Sequence, residues 1–91
     1  MILRRHVESY FDVTEEERAG MWDEVARVKS ELDAEVHPDG YTVGVNVGVA
    51  GGQTVMHVHI HVIPRYTGDV PDPRGGIRGV IPGKRTYGDS E

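Results

Sequence analysis

The chain has 91 residues, a formal net charge of −5 and no cysteine. Its length predicts a single domain, residues 1–91, which buries only about 60–65% of the surface of the unfolded chain, so a partner subunit would stabilise it. The acidic balance argues against a nucleic-acid or membrane partner, and the missing cysteines exclude disulfides, thiol nucleophiles and thiolate metal sites. Because no apolar run has the length of a membrane span or of a secretory signal, we expect an unprocessed, cytoplasmic protein.

A helix is predicted over about residues 15–35, after an opening segment, residues 1–13, that fits the end of a strand followed by a connection. Thr14 and Glu17 have the spacing of a capping box, in which each side chain accepts a hydrogen bond from the other's backbone. Apolar residues then recur at helical spacing, which predicts a stripe that faces the core. The stripe consists of Met21, Val25, Val28 and Leu32, widened by Trp22 and Ala26.

A turn at His37-Pro38-Asp39-Gly40 ends this helix, and we expect His37 to be solvated there. Residues 41–49 then alternate in the way of a strand. Four valines at odd positions share one face, and the other face carries Gly44, Asn46 and Gly48. Residues 50–54, Ala-Gly-Gly-Gln-Thr, form a flexible connection rich in exposed N–H groups, which suits either a plain hairpin loop or a cradle for an anion.

Three histidines alternate with aliphatic residues over His57–Ile63, which predicts a second strand. One face of this strand carries the imidazoles of His57, His59 and His61, and the other carries aliphatic side chains. If the aliphatic faces of the two strands cover the helix together, Asn46 falls on the histidine face. The sequence therefore predicts an antiparallel sheet packed on one main amphipathic helix, an α+β fold.

The segment after Pro64 is dense in glycine, proline and charge, so residues 66–91 are predicted to form an extended irregular tail with at most a short strand near Ile77–Ile81. The run Gly79–Lys84 has only three residues between its glycines, and Arg85 follows the lysine instead of a hydroxyl residue. It therefore lacks the pattern of a phosphate-binding P-loop.

The histidine row admits three interpretations. Alternate Cβ atoms on a strand lie about 6.5–7 Å apart, so all three imidazoles of a straight strand cannot share one metal ion, and a metal site needs a further ligand such as His6, His37 or a carboxylate. A purely structural row requires a hydrogen-bonding partner for each ring. In the third interpretation, a neutral imidazole attacks a phosphoryl centre while nearby donors neutralise the phosphate oxygens.

Residues 52–65, GQTVMHVHIHVIPR, with Asn46-Val47-Gly48 before them, resemble the signature of the histidine-triad (HIT) family of nucleotide hydrolases and transferases. Arg4-Arg5-His6-Val7 resembles a basic segment of that family, and Asp72–Pro82 resembles a bacterial branch. The resemblance implies that the middle histidine attacks the α-phosphate, that a covalent nucleotidyl-histidine forms and is hydrolysed, and that no metal or cofactor takes part. It implies catalytic roles for His59, His57 and His61, and phosphate binding by Asn46, Gly52, Gln53 and Thr54.

Members of the family usually have about forty further residues before the segment that starts here, and these carry the first strands and the base contacts. A sheet without those strands has an open edge, and open edges pair. We therefore expect a homodimer or a strand-exchanged oligomer. The substrate implied is a nucleoside phosphoramidate, a dinucleoside polyphosphate or a related mononucleotide; a nucleotide-binding or assembly module with little catalysis, and a metal protein using two neighbouring histidines, are the alternatives.

Overall fold

A computed structural model of the protein describes residues 5–84. Helix α1 spans Glu15–Val36, strand β1 spans Gly40–Gly44 and strand β2 spans His61–Arg65. Short 3-10 turns lie at Tyr10–Asp12, Val49–Gly51 and Gly76–Val80. The α+β class, with one main helix and an antiparallel sheet, is confirmed. The predicted opening at residues 1–4 and the end of the predicted tail at residues 85–91 lie outside the described residues.

Helix α1 begins and ends where the local sequence predicts. The Oγ1 of Thr14 accepts the N–H of Glu17 at 3.0 Å, and a carboxylate oxygen of Glu17 accepts the N–H of Thr14 at 2.9 Å, which completes the capping box. At the other end the chain leaves the helix through His37, which has left-handed backbone angles (φ 48°, ψ 58°) and is exposed as expected. In residues 5–84, no helix is both long and apolar enough to cross a membrane.

The segment before the helix is fastened to its first turn by an ion pair. Arg5 donates from Nε and Nη2 to the two carboxylate oxygens of Glu17 at 2.8 and 2.7 Å, a bidentate geometry. This hydrogen bonding with Arg5, together with the Thr14 N–H, lowers the pKa of Glu17 to about 2. Two residues further along, the carbonyl of Val7 accepts the N–H of Val58 at 2.6 Å. The N-terminal segment thus connects the start of the helix to the histidine segment.

The two strands pair antiparallel, with Gly40 opposite Arg65 and Gly44 opposite His61. Paired residues point to the same side of a sheet, so Val43 and Val62 share the side that packs against the helix. Strand β1 is shorter than the predicted strand over residues 41–49, and that prediction is wrong after Gly44. The chain turns instead because Gly48 adopts a left-handed φ of 74° and a 3-10 turn follows, which leaves Val49 78% exposed.

The histidine segment keeps its predicted alternation but pairs later than predicted. Regular pairing starts at His61 and runs to Arg65, whereas His59 forms only an isolated bridge. Val58 and Ile60 are nevertheless 1% and 2% exposed, the most deeply buried side chains of the described chain. Burial of Val58 and Ile60 therefore directs the imidazoles away from the core, although regular strand pairing begins only at His61.

The core lies between the N-terminal segment, the helix and the histidine segment. Of the predicted helical stripe, Met21 is buried and Val25 packs against the core, but Trp22 and Ala26, predicted to widen the stripe, are exposed. Trp22 instead donates its indole N–H to the hydroxyl of Tyr10 at 3.2 Å. The buried apolar residues are Val7, Val13, Met21, Val58 and Ile60, with Tyr10, Val25, Val43, Val45 and Val62 packed around them.

In the described part of the tail, residues 66–84, the short strand expected near Ile77–Ile81 is not present. A 3-10 turn over Gly76–Val80 takes its place. The reason is local: Gly75 and Gly76 both adopt left-handed φ angles, 85° and 43°, which bend the chain out of the extended conformation that a strand requires. As a result this turn lies against strand β1.

The Arg5–Glu17 pair predicts a specific response to acid. Because the folded-state pKa of Glu17 is lowered from 4.5 to about 2, its contribution to stability is present above about pH 4.5 and is lost as the pH falls towards 2. We expect Glu17→Gln to lower the unfolding free energy at pH 6 and to show a smaller further loss at pH 3 than the wild type, measured by urea denaturation. Glu16→Gln, an exposed acid in the same turn, is the control, and an equal effect of both changes would contradict the assignment.

Candidate active site

The three histidines of the row lie in different environments although they come from one segment. His57 and His59 are half-buried and His61 is exposed. The rings of His59 and His61 meet edge to face, with centroids 4.7 Å apart and planes at 71°. The described structure therefore distinguishes a central imidazole, His59, from two flanking ones.

The orientation of the His59 ring is set by a backbone carbonyl. Its Nδ1 lies 2.8 Å from the carbonyl oxygen of His57, and a carbonyl can only accept a hydrogen bond, so Nδ1 carries the proton. In the neutral ring Nε2 then has the lone pair and no proton. This is the tautomer that a nucleophilic imidazole needs.

A fourth histidine joins the row from the N-terminal segment. The ring of His6 stacks on that of His57, with centroids 5.0 Å apart, and the two Nδ1 atoms are 3.2 Å apart. One of these nitrogens donates and the other accepts. The sequence analysis named His6 as a possible metal ligand and as part of the basic segment Arg4-Arg5-His6-Val7, but did not predict its contact with His57.

The sequence left open a metal site built on neighbouring histidines. His6 does approach His57, as such a site would require, but within residues 5–84 there is no cluster of three or more histidine, cysteine or acidic side chains that could hold a metal ion. The described residues therefore offer a pair of ligands for a metal rather than a complete set.

Gln53, expected to contact phosphate, lies inside the loop that precedes the histidines. It is 3% exposed. Its Oε1 accepts the N–H of Gly48 at 2.8 Å, and its Nε2 donates to the carbonyls of Glu8 and Val55 at 2.7 and 3.1 Å. The side chain thus ties the loop to the N-terminal segment.

The N–H groups of this loop are used within it. Those of Gly51 and Gln53 both donate to the carbonyl of Gly48, at 3.1 and 3.0 Å, and that of Gly52 donates to Val49 at 3.0 Å. The expected flexible connection with many exposed N–H groups is therefore wrong at these positions. The loop is a turn closed by its own backbone hydrogen bonds.

Asn46 and Gly52, two of the residues expected to bind phosphate, lie next to each other. Asn46 is exposed, and its side-chain atoms lie 3.8–3.9 Å from the position that a Cβ on Gly52 would occupy. Gly52 has a left-handed φ of 94°, so a residue with a side chain would be strained there. Thr54 is exposed two residues later. Asn46 also lines a cleft together with His61.

The arginine at the end of the histidine strand is neutralised locally. Arg65 donates from Nε and Nη2 to the carboxylate of Asp69 at 2.6 and 2.8 Å, and from Nη1 to the hydroxyl of Thr42 at 3.0 Å. Hydrogen bonding with Arg65 lowers the pKa of Asp69 to about 2. The guanidinium of Arg65 is therefore paired with a carboxylate that stays ionised at neutral pH.

Known proteins match the part of the chain that contains the helix and the three histidines. The profile of the family described as "HIT domain" matches residues 1–68. The chain is 38% identical over 66 residues to the bifunctional bis(5'-adenosyl)-triphosphatase/adenylylsulfatase FHIT of Arabidopsis thaliana, covering 72% of this chain and 37% of that protein. It is 40% identical over 62 residues to a bis(5'-adenosyl)-triphosphatase of Dictyostelium discoideum, covering 68% and 42%. The chain thus spans less than half the length of these curated relatives.

Solved structures resemble the described fold as well. A HIT family protein from Bacillus anthracis superposes with a TM-score of 0.69 at 35% identity, over 71% of this chain and 46% of that one. A zinc-bound histidine triad family protein from Mycobacterium smegmatis superposes with a TM-score of 0.68 at 35% identity, over 78% and 56%. The similarity therefore extends to the three-dimensional arrangement.

The buried amide of Gln53 predicts a loss of stability. Gln53→Ala leaves the N–H of Gly48 and the carbonyl of Glu8 without their partner, so we expect the unfolding free energy to fall by about 2–4 kcal/mol, measured by urea denaturation. Thr54→Ala, at the exposed neighbouring position, should change it by no more than about 0.5 kcal/mol. Similar values for the two variants would show that Gln53 does not hold the loop.

Proposed function

Because the chain belongs to the HIT domain family, we propose that it is a nucleotide hydrolase or nucleotidyl transferase. The substrate is a nucleoside phosphoramidate, a dinucleoside polyphosphate or a related mononucleotide, attacked at the α-phosphate. The observation that carries the proposal is the hydrogen bond between His59 Nδ1 and the carbonyl of His57. It leaves Nε2 as the basic atom of a half-buried ring, beside two further imidazoles.

In the first step, the lone pair of His59 Nε2 forms a bond to the α-phosphorus. The bond from that phosphorus to the leaving group breaks, and the leaving atom keeps the electron pair and takes up a proton. His61, whose ring contacts that of His59, is the side chain that we assign to this proton transfer. The product of the step is a nucleotidyl-histidine.

In the second step, a water molecule attacks the same phosphorus and the bond to Nε2 breaks. The water gives up its proton to His61, which lost one in the first step, the mononucleotide leaves, and neutral His59 is restored with Nδ1 still directed at the carbonyl of His57. We propose that the backbone carbonyl of His57 orients the ring of His59. The ring of His6 contacts the ring of His57 and holds it in position.

The negative charge of the phosphate requires donors close to Nε2. We propose that Asn46, Gly52 and Thr54 line the phosphate position, since Asn46 and Gly52 adjoin and Thr54 is exposed on the same loop. Gln53 belongs to this group by holding the loop closed. Because Arg65 is paired with Asp69, amide, hydroxyl and imidazole donors are the groups left to neutralise the phosphate oxygens.

We also propose a homodimer or strand-exchanged oligomer in the cytoplasm, with neither nucleic acid nor membrane as partner. The acidic net charge and the missing cysteines support the compartment and the exclusions. The described sheet has two strands, so each strand has one edge without a partner strand among residues 5–84. Such edges pair readily with another chain.

The covalent step is tested on His59. Wild-type protein incubated with adenosine 5'-phosphoramidate and quenched in alkali should carry an adenylyl group on the peptide that contains His59, seen by mass spectrometry. His59→Ala should lose both the adduct and turnover, by about 1000-fold or more, since the nucleophile is removed. His37→Asn is the matched control, because asparagine tolerates the left-handed conformation of this exposed histidine.

Retained turnover in His59→Ala would refute the assignment. Binding of adenosine monophosphate by the wild type without an adduct or turnover would instead identify a nucleotide-binding module, the alternative function.

The assembly is tested by light scattering. We expect a mass twice that of the 91-residue chain, or a higher multiple, that persists on dilution. A monodisperse, stable monomer would contradict the proposed oligomer and leave the assignment of His59 untouched.

A further inference from the structure

The 3-10 turn of the tail lies over the histidine side of the sheet. Gly44 and His61 are paired across the strands, as are Thr42 and Ile63, so all four point away from the helix. The Cδ1 atom of Ile77 lies 3.2 Å from the position that a Cβ on Gly44 would occupy. The missing side chain at Gly44 therefore admits Ile77 next to His61.

A cleft of about 700 Å³ opens between this turn and the sheet. The volume is in the range of small-molecule sites, roughly 300–1,000 Å³. Two of its lining residues, Asn46 and His61, belong to the candidate active site, so the cleft continues directly from the site. The rest of its lining is mainly aliphatic and includes Ile63, Ile77 and Val80.

The lining favours a neutral, apolar occupant. Ile63, Ile77 and Val80 are 46%, 54% and 78% exposed, so much of their surface stays in contact with water. Among the described residues that line the cleft, none is acidic, lysine or arginine. A flat uncharged ring would cover the aliphatic carbons, whereas a phosphate chain lying beyond His61 would meet no balancing charge.

We propose that this cleft is a subsite for an aromatic ring of the substrate, such as a nucleobase, and that Ile77 determines the specificity for it. The proposal rests on the proposed function, because His61 and Asn46 join the cleft to the phosphate position. Two parts of the substrate carry such a ring: the nucleotidyl group held on His59 and a departing nucleoside phosphate.

Binding of adenosine, which carries no phosphate, tests the subsite by itself. We expect Ile77→Ala to weaken adenosine binding about 3- to 10-fold in calorimetry, because the aliphatic wall is lost. Ile81→Ala is the matched control: Ile81 is 58% exposed and loses the same atoms, but it does not line the cleft. Unchanged binding in Ile77→Ala, or equal weakening in Ile81→Ala, would overturn the proposal.

Kinetics then distinguish the two sources of the ring. If the cleft holds the base of the nucleotidyl group, Ile77→Ala should raise KM for both adenosine 5'-phosphoramidate and diadenosine tetraphosphate. If it holds the departing nucleoside, only KM for diadenosine tetraphosphate should rise. The subsite and the proposed function can fail separately. Weakened adenosine binding in Ile77→Ala without any adduct on His59 supports the subsite and refutes the catalysis. An adduct on His59 with unchanged adenosine binding in Ile77→Ala supports the catalysis and refutes the subsite.

Discussion

Burial of Val58 and Ile60 is the constraint on which the candidate site depends. These two side chains are almost fully removed from water, and alternate residues of an extended chain point to opposite sides. The hydrophobic effect thus fixes the direction of the imidazoles between and around them, even where the strand has no regular partner. The free energy that orients the histidine row is supplied by the opposite face of the same segment.

The loop before the histidines has a second, polar anchor. Gln53 satisfies three backbone groups from two separate parts of the chain, at Glu8, Gly48 and Val55. Because this amide is buried, each of its bonds forms in an environment where an unsatisfied partner is costly. A glycine-rich turn thereby acquires a defined shape, and Asn46 is held against Gly52. The side chain of Gln53 and the backbone hydrogen bonds of the turn therefore order the loop together.

The features predicted from sequence are those whose physical causes are local. Thr14 and Glu17 determine the start of helix α1 within one turn of chain, and the alternation about His59 determines which side chains are buried. Strand β1 ends early because Gly48 adopts a left-handed φ that an alternation pattern does not reveal, and the position of Ile77 beside Gly44 depends on residues far apart in sequence. The stacking of His6 on His57 likewise requires the N-terminal segment to be docked by Arg5 and Val7. Gln53 was identified as important, but its burial depends on contacts 45 residues away.

The pairing of Arg65 with Asp69 bears on how the proposed reaction would end. Hydrolysis of the phosphorus–histidine bond releases a mononucleotide whose phosphate carries more negative charge than the ester from which it came. A guanidinium facing that phosphate would hold the product more tightly than the substrate and slow the cycle. Here the nearest arginine of the strand is already neutralised by its own carboxylate, and no acidic, lysine or arginine side chain lines the adjoining cleft among the described residues. The arrangement favours product release over product capture.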